Sequence, residues 1–215
     1  MPDSGLILDG VVIRRDGRTL VDISDRVAPG EVLTVMGPSG SGKSTLLSYV
    51  IGTLDTAFEA KGRVILNGSD ITDLVPEQRQ VGILFQDELL FPHLSVGENL
   101  AFGLRASVKG RAARREKIDA ALEDIGLAGF ADRDPETLSG GQKARVALMR
   151  MLLSGPKALL LDEPFSRLDT ERRDQIRTLV FDQARAKGLP VLLVTHDHAD
   201  ANAAGGRLHQ LGEGT

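Results

Sequence analysis

Gly37-Pro38-Ser39-Gly40-Ser41-Gly42-Lys43-Ser44-Thr45 fits the pattern G-x-x-x-x-G-K-[ST], and its flanks give the pattern a physical meaning. The apolar run Val32-Leu33-Thr34-Val35-Met36 before it reads as a buried strand. Ser44 to Ile51 after it reads as a helix closed by Gly52. Glycines at 37, 40 and 42 allow a tight turn whose successive N–H groups wrap a β-phosphate at the positive end of that helix. Lys43 then offers a point charge to the β- and γ-phosphates, and Ser44 a hydroxyl to Mg²⁺. A glycine-rich turn with a chance Lys-Ser is the bland alternative, but it needs no such strand–loop–helix context. The stretch reads as a nucleotide site.

Toward the N-terminus, residues 6–13 and 19–27 read as strands joined by a turn at Asp16-Gly17, and Pro29-Gly30 leads into the strand before the phosphate loop. Toward the C-terminus, residues 62–68 form a strand that reverses at Asn67-Gly68, and Val81-Gly82-Ile83-Leu84-Phe85 forms another that runs into Gln86. From about residue 87 to 155 the pattern becomes helical. Ile118, Ala121, Leu122 and Ile125 share one apolar face that Gly126 ends, and the nearby Arg111, Arg114, Arg115 and Lys117 read as its solvated side. Strand character returns at Ala158-Leu159-Leu160-Leu161, followed by a helix from about Thr170 to Lys187 and a last apolar strand, Val191-Leu192-Leu193-Val194. The expected fold is α/β: a phosphate-loop core at residues 1–86 and 156–215 with a mostly parallel sheet and an N-terminal antiparallel subdomain, carrying an inserted helical lobe at about 87–155.

Composition narrows the function. The 215 residues, 41% apolar and 26% charged, suit one large globular domain. The chain has no Cys, which removes disulfides, thiolate metal sites and cysteine nucleophiles. A net charge of −4 gives no general reason to bind nucleic acid. The first residues lack the basic start and apolar core of a signal peptide, and no run of about twenty apolar residues occurs, so a cytoplasmic protein without a membrane span is expected.

Four further stretches follow the phosphate loop. Leu159-Leu160-Leu161-Asp162-Glu163-Pro164 is an apolar strand ending in two carboxylates. Asp162 is suited to hold a metal's hydration shell, and Glu163 to orient and polarise an attacking water. Leu138-Ser139-Gly140-Gly141-Gln142 places small residues and bare backbone at a helix start, a second anion site. One triphosphate is already held by residues 37–45, so Ser139 and Gly141 are read as facing the γ-phosphate of a nucleotide on another subunit. Gln86 stands where the core meets the helical lobe, its amide suited to touch Mg²⁺ or the attacking water. Thr195-His196-Asp197 follows the last apolar strand and puts an imidazole in reach of a γ-phosphate. A lone Gln or His is more often a surface residue, and His93, His198 and His209 are read that way.

In this order the stretches resemble the ATP-binding subunits of ABC transporters. The likeness rests on residues 37–45 as Walker A, Gln86 as the Q-loop, residues 138–142 as the signature, 159–164 as Walker B, Ser166-Arg167-Leu168-Asp169 as the D-loop and His196 as the switch histidine. It implies a cassette that closes head-to-tail with a second copy or another cassette, sandwiching two ATP between the phosphate loop of one and the signature of the other. Glu163 would be the base on water, His196 and Lys43 would stabilise charge on the γ-phosphoryl group, and Asp169 would lie at the dimer seam. Ser44, Gln86 and Asp162 would hold Mg²⁺.

The chain departs from the family pattern in three places: Arg14-Arg15-Asp16 where an adenine-stacking aromatic is usual, Arg167 in the D-loop, and Lys143-Ala144 after the signature. Residues 82–96 look like the ATPases of importers fed by periplasmic binding proteins, and Pro164-Phe165-Ser166-Arg167-Leu168-Asp169 points to a small YnjD-like group among them. The end at Thr215, without an appended regulatory domain, is similar to the thiamine-importer ATPase. Import is favoured over export or lipoprotein release. Separate permease subunits are expected, docking at the cytoplasmic face of the membrane near Leu89, Leu90, Phe91 and Leu94, which read equally as lobe core. Soluble cassettes of DNA repair or translation share the motifs but carry coiled coils, zinc modules or two copies, none of which occurs here.

Overall fold

The computed structural model describes residues 4–87 and 89–212, and of residues 170 and 171 the backbone alone. Glu88, within the importer-like stretch, lies outside the described residues, as do both ends of the chain. The elements, in chain order, are β1 (Leu6–Arg15), β2 (Arg18–Val27), β3 (Val32–Met36), α1 (Lys43–Ile51), β4 (Glu59–Leu66) and β5 (Ser69–Asp70). Then come α2 (Pro76–Arg79), β6 (Val81–Leu84), α3 (Val96–Gly103), α4 (Arg111–Asp124) and α5 (Gly140–Leu153). The chain continues with β7 (Ala158–Asp162), α6 (Thr170–Ala186), β8 (Val191–Thr195), α7 (His198–Ala204) and β9 (Arg207–Gln210).

Contacts divide these elements into two units. The first comprises Met1–Ile83, Lys157–Glu163 and Phe181–Thr215, and the second Leu84–Pro156 and Pro164–Val180.

The first unit holds two sheets. An antiparallel sheet runs β2-β1-β4-β5, and its two tight reversals use the residues the sequence offers there: Asp16 and Gly17, and Asn67 and Gly68, all with positive φ. The second sheet runs β6-β7-β8-β3-β9. Its register pairs Met36 with Thr195 and Asp162 with Val194, in parallel ladders. Parallel strands end at one edge, so residues 37–45, the Asp162-Glu163 carboxylates and His196 leave the sheet side by side. Every residue of β3 and β8 is buried, which is why both read as unbroken apolar runs. The core joins Leu33, Val35, Leu160, Leu192 and Val194 of this sheet to Leu46, Leu47 and Val50 of α1 and to Leu6, Leu8 and Val64 of the antiparallel sheet.

One residue of this unit was invisible to pattern reading. Arg79, 6% exposed, donates to the Tyr49 and Val50 carbonyls at 2.8 and 2.9 Å and to the Leu74 carbonyl at 2.7 Å. A cation there meets last-turn carbonyls at the negative end of α1, although burial lowers its pKa.

The second unit is helical, with α3 packed on α5 and α4 alongside. Ile118, Ala121, Leu122 and Ile125 are buried as their spacing requires. The basic side is not uniformly solvated, because Arg114 donates to the Ala101 and Val108 carbonyls and so ties α4 back to α3. Gly103 sits where α3 meets α5. A Cβ there would stand 2.9 Å from the Arg150 carbonyl carbon and closer still to its oxygen. Gly103→Ala is therefore expected to cost about 1–3 kcal/mol through overpacking. A melting temperature within a degree of wild type would mean that the two helices have room to part.

Candidate functional site

The phosphate loop is built by its glycines and its lysine. Gly42 is the residue before α1, with φ 93°, and a Cβ on it would stand 2.9 Å from Val21 Cγ2. A side chain would thus meet both backbone strain and a wall. Lys43 is 6% exposed, and its Nζ donates to the Gly37 carbonyl at 2.7 Å and the Pro38 carbonyl at 2.9 Å. The ammonium is folded over its own loop. Ser41 Oγ is buried with no protein hydrogen-bond partner. Such an unpaired hydroxyl is costly, and an anion in the loop would satisfy it. Pro38, Ser39 and Gly40 form the exposed lip, and Thr45 is half-buried in the first turn of α1.

Beside the loop, Ser44 Oγ donates to Asp162 Oδ1 at 3.1 Å. Burial pushes the Asp162 carboxyl above the usual carboxylate range and the neighbouring Glu163 adds to this, while the Ser44 hydrogen bond and the Lys43 charge oppose it. A divalent cation would reverse the penalty. One carboxylate and one hydroxyl, with remaining positions for water and phosphate oxygens, is a donor set suited to Mg²⁺. Among the described residues no group of three His, Asp or Glu side chains could hold a metal by itself.

Glu163 follows with φ 46°, unusual for a non-glycine residue, and its N–H donates to the Val194 carbonyl at 3.0 Å. The strained turn brings its carboxylate 3.1 Å from His196 Nδ1, the glutamate side chain 24% and the histidine 61% exposed. Lys43, Ser44, Asp162, Glu163 and His196 thus gather at one edge of the first unit. Arg15 lies with its guanidinium 5.5 Å from the Phe58 ring centre and 3.6 Å from Asp16, so the cation at the aromatic-poor position is itself backed by an aromatic ring.

The remaining predicted residues belong to the second unit. Ser139 caps α5 with a reciprocal pair: its Oγ accepts the Gln142 N–H at 3.4 Å and Gln142 Oε1 accepts the Ser139 N–H at 2.9 Å. Gly140 is exposed and Gly141 buried. At this helix start opens a hollow of about 190 Å³ lined by Ser139, Gly141, Gln142, Arg145 and Arg172, among others. Asp169 Oδ1 accepts the Arg172 N–H at 3.1 Å, and its other oxygen lies 3.2 Å from Arg172 Nη1. Gln86 is exposed. Arg167 pairs with Asp87. No pattern in the sequence would have joined those two.

Of the apolar residues expected to line a groove or form lobe core, Leu89 is 58% exposed and Leu90, Phe91 and Leu94 are half-buried. Leu89 and Leu90 line a 350 Å³ groove with Asp87, Pro92, Pro135, Glu136 and Lys143. Among the described residues no helix is long and apolar enough to cross a membrane.

Residues 20–166 match the family described as ABC transporter. The chain is 53% identical over 188 residues to an ABC transporter ATP-binding protein, YnjD, of Escherichia coli (strain K12), covering 87% of this chain and 86% of that one. It is 45% identical over 196 residues to the thiamine import ATP-binding protein ThiQ of Cereibacter sphaeroides, covering 91% and 83%. Against the Fe(3+) ions import ATP-binding protein FbpC of Rhizobium etli it is 39% identical over 193 residues, which cover 90% of this chain and 54% of the longer relative. The strand order and the glycine-rich loop beside paired carboxylates fit a cassette that binds and hydrolyses ATP, and the chain belongs to the ABC transporter family.

Proposed function

We propose that the chain powers an importer by ATP-driven closure of two cassettes, each nucleotide being held by the phosphate loop of one and the Ser139–Gln142 helix start of the other. One observation carries this reading. The chain has two helix starts suited to phosphate, and the catalytic groups Lys43, Asp162, Glu163 and His196 accompany the first of them. The second offers small residues with Arg145 and Arg172 close by, so it is suited to complete another chain's site. ThiQ and FbpC, named as import ATP-binding proteins, support the direction of transport.

In the closed pair, Lys43 and the loop amides neutralise the triphosphate, and Ser41 Oγ gains the partner it lacks. Ser44 and Asp162 would hold Mg²⁺, which would supply charge neutralisation for the triphosphate. Glu163 accepts the proton of the attacking water, and His196, its Nδ1 3.1 Å from that carboxylate, holds it and stabilises charge on the γ-phosphoryl group. Asp169 lies at the seam. The 350 Å³ groove with exposed Leu89 is offered to a short helix of a permease subunit at the cytoplasmic face of the membrane, with a periplasmic substrate-binding protein beyond it.

Light scattering of Glu163→Gln with Mg²⁺-free ATP tests this directly. The mass should double on adding ATP, because bound nucleotide favours the closed pair and is not consumed. The added substitution Ser139→Arg should return it to monomer. A monomer that still binds ATP would overturn closure by the chain alone.

A further inference from the structure

The turn that carries His196 is braced by a carboxylate that the proposed chemistry does not use. Asp200, in the first turn of α7, is 1% exposed, and so is Thr195, the last residue of β8. The Thr195 hydroxyl donates to Asp200 Oδ2 at 3.2 Å. Thr195 Oγ1 in turn accepts the N–H of Asp197 at 3.0 Å, and Asp197 Oδ1 accepts the N–H of Ala199 at 2.6 Å. His196 is therefore spanned: the hydroxyl of the residue before it is bonded to the amide of the residue after it.

A hydroxyl has one hydrogen and two lone pairs. Donation to Asp200 aims that hydrogen away from Asp197 and leaves a lone pair facing its amide. Without an acceptor at Asp200 the buried hydroxyl would have to turn, and the span over His196 would loosen. The other end of the brace is firm, because Thr195 pairs in register with Met36, the last strand residue before the phosphate loop. A buried carboxylate is costly unless it is hydrogen-bonded, and the Thr195 hydroxyl offsets part of that cost for Asp200.

We propose that Asp200 is a positioning residue for His196, setting the imidazole through Thr195 so that it meets Glu163. Its catalytic consequence rests on the ATPase reading above, but the positional link can be measured without catalysis.

In the full chain, histidine ring signals can be resolved by NMR, since there are only four histidines, and His196 can be assigned by the signal lost in His196→Ala. Asp200→Ala and Thr195→Val should both move the His196 ring signals and leave those of His93 unchanged. Asp200→Asn, which keeps an acceptor oxygen, and Thr195→Ser, which keeps the hydroxyl, should stay near wild type. In ATP hydrolysis, Asp200→Ala should lower kcat about 10-fold with KM within twofold, and the loss should vanish in a His196→Ala background.

His196 signals unchanged in Asp200→Ala would overturn the proposal, whatever the ATPase result. So would losses from Asp200→Ala and His196→Ala that multiply. If Asp200→Ala fails to fold, Thr195→Val, which keeps the side-chain volume, carries the same test.

Discussion

Glu163→Gln should lower kcat for ATP hydrolysis by about 10²–10⁴-fold, the range expected when a general base is removed, with KM for ATP within about threefold. Phosphate release under saturating ATP and Mg²⁺ measures it. The substitution isolates chemistry from structure unusually well. Glu163 sits at φ 46°, and its N–H is bonded to the Val194 carbonyl. A non-glycine residue in this region carries roughly 1–2 kcal/mol of strain, which glutamine inherits unchanged. The amide can still bond His196 Nδ1, now 3.1 Å from the carboxylate. Melting temperature should stay within a degree or two while hydrolysis is lost. Retention of more than a tenth of wild-type kcat would remove Glu163 from the role of base and direct attention to a substrate-assisted path.

The same turn shows what could be read in advance and what could not. The boundaries of β3 and the closing of α1 by Gly52, whose φ is 89°, follow from apolar runs and a residue that tolerates left-handed backbone. So does the reversal at Asn67-Gly68. An apolar run reports burial, and β3 is buried throughout, whereas the two glycine-containing stops report backbone conformation. Arg207–Gln210, by contrast, forms β9 at the edge of the parallel sheet with Leu208 54% exposed. An edge strand needs no apolar run, so Val191–Val194 looked like the last strand. The four-residue α2 and seven-residue α7 are too short for any period to register.

In the site, the residue types were legible because phosphate chemistry restricts them, and their pairings were not. Ser44 meets Asp162 across 118 positions, and Arg167 meets Asp87 across 80. Asp200 lay in a polar run where nothing marked it as buried. The Ser44–Asp162 pairing is set by the register of β3, β7 and β8, which no local pattern encodes.

Lys43→Ala should weaken ATP binding by about 10–100-fold, measured by calorimetric titration, because a hydrogen bond to a charged group contributes roughly 1.5–3 kcal/mol. The geometry of the loop adds a second expectation. Lys43 Nζ is bonded to the Gly37 and Pro38 carbonyls, at 2.7 and 2.9 Å, inside a loop where it is 6% exposed. Truncation leaves the buried Gly37 carbonyl without this donor, which alone would cost about 1–3 kcal/mol, while the Pro38 carbonyl keeps the Ser41 N–H at 3.2 Å. It also relieves the desolvation of an ammonium, which opposes that loss. The net fall in stability should therefore be smaller than the fall in ATP affinity expressed as free energy. Arginine should not restore binding, because its planar fork cannot occupy the space of a compact ammonium folded against two carbonyls. If Lys43→Ala bound ATP within threefold of wild type while melting several degrees lower, the lysine would be a brace for the loop and the amides of residues 40–45 would carry the phosphate alone.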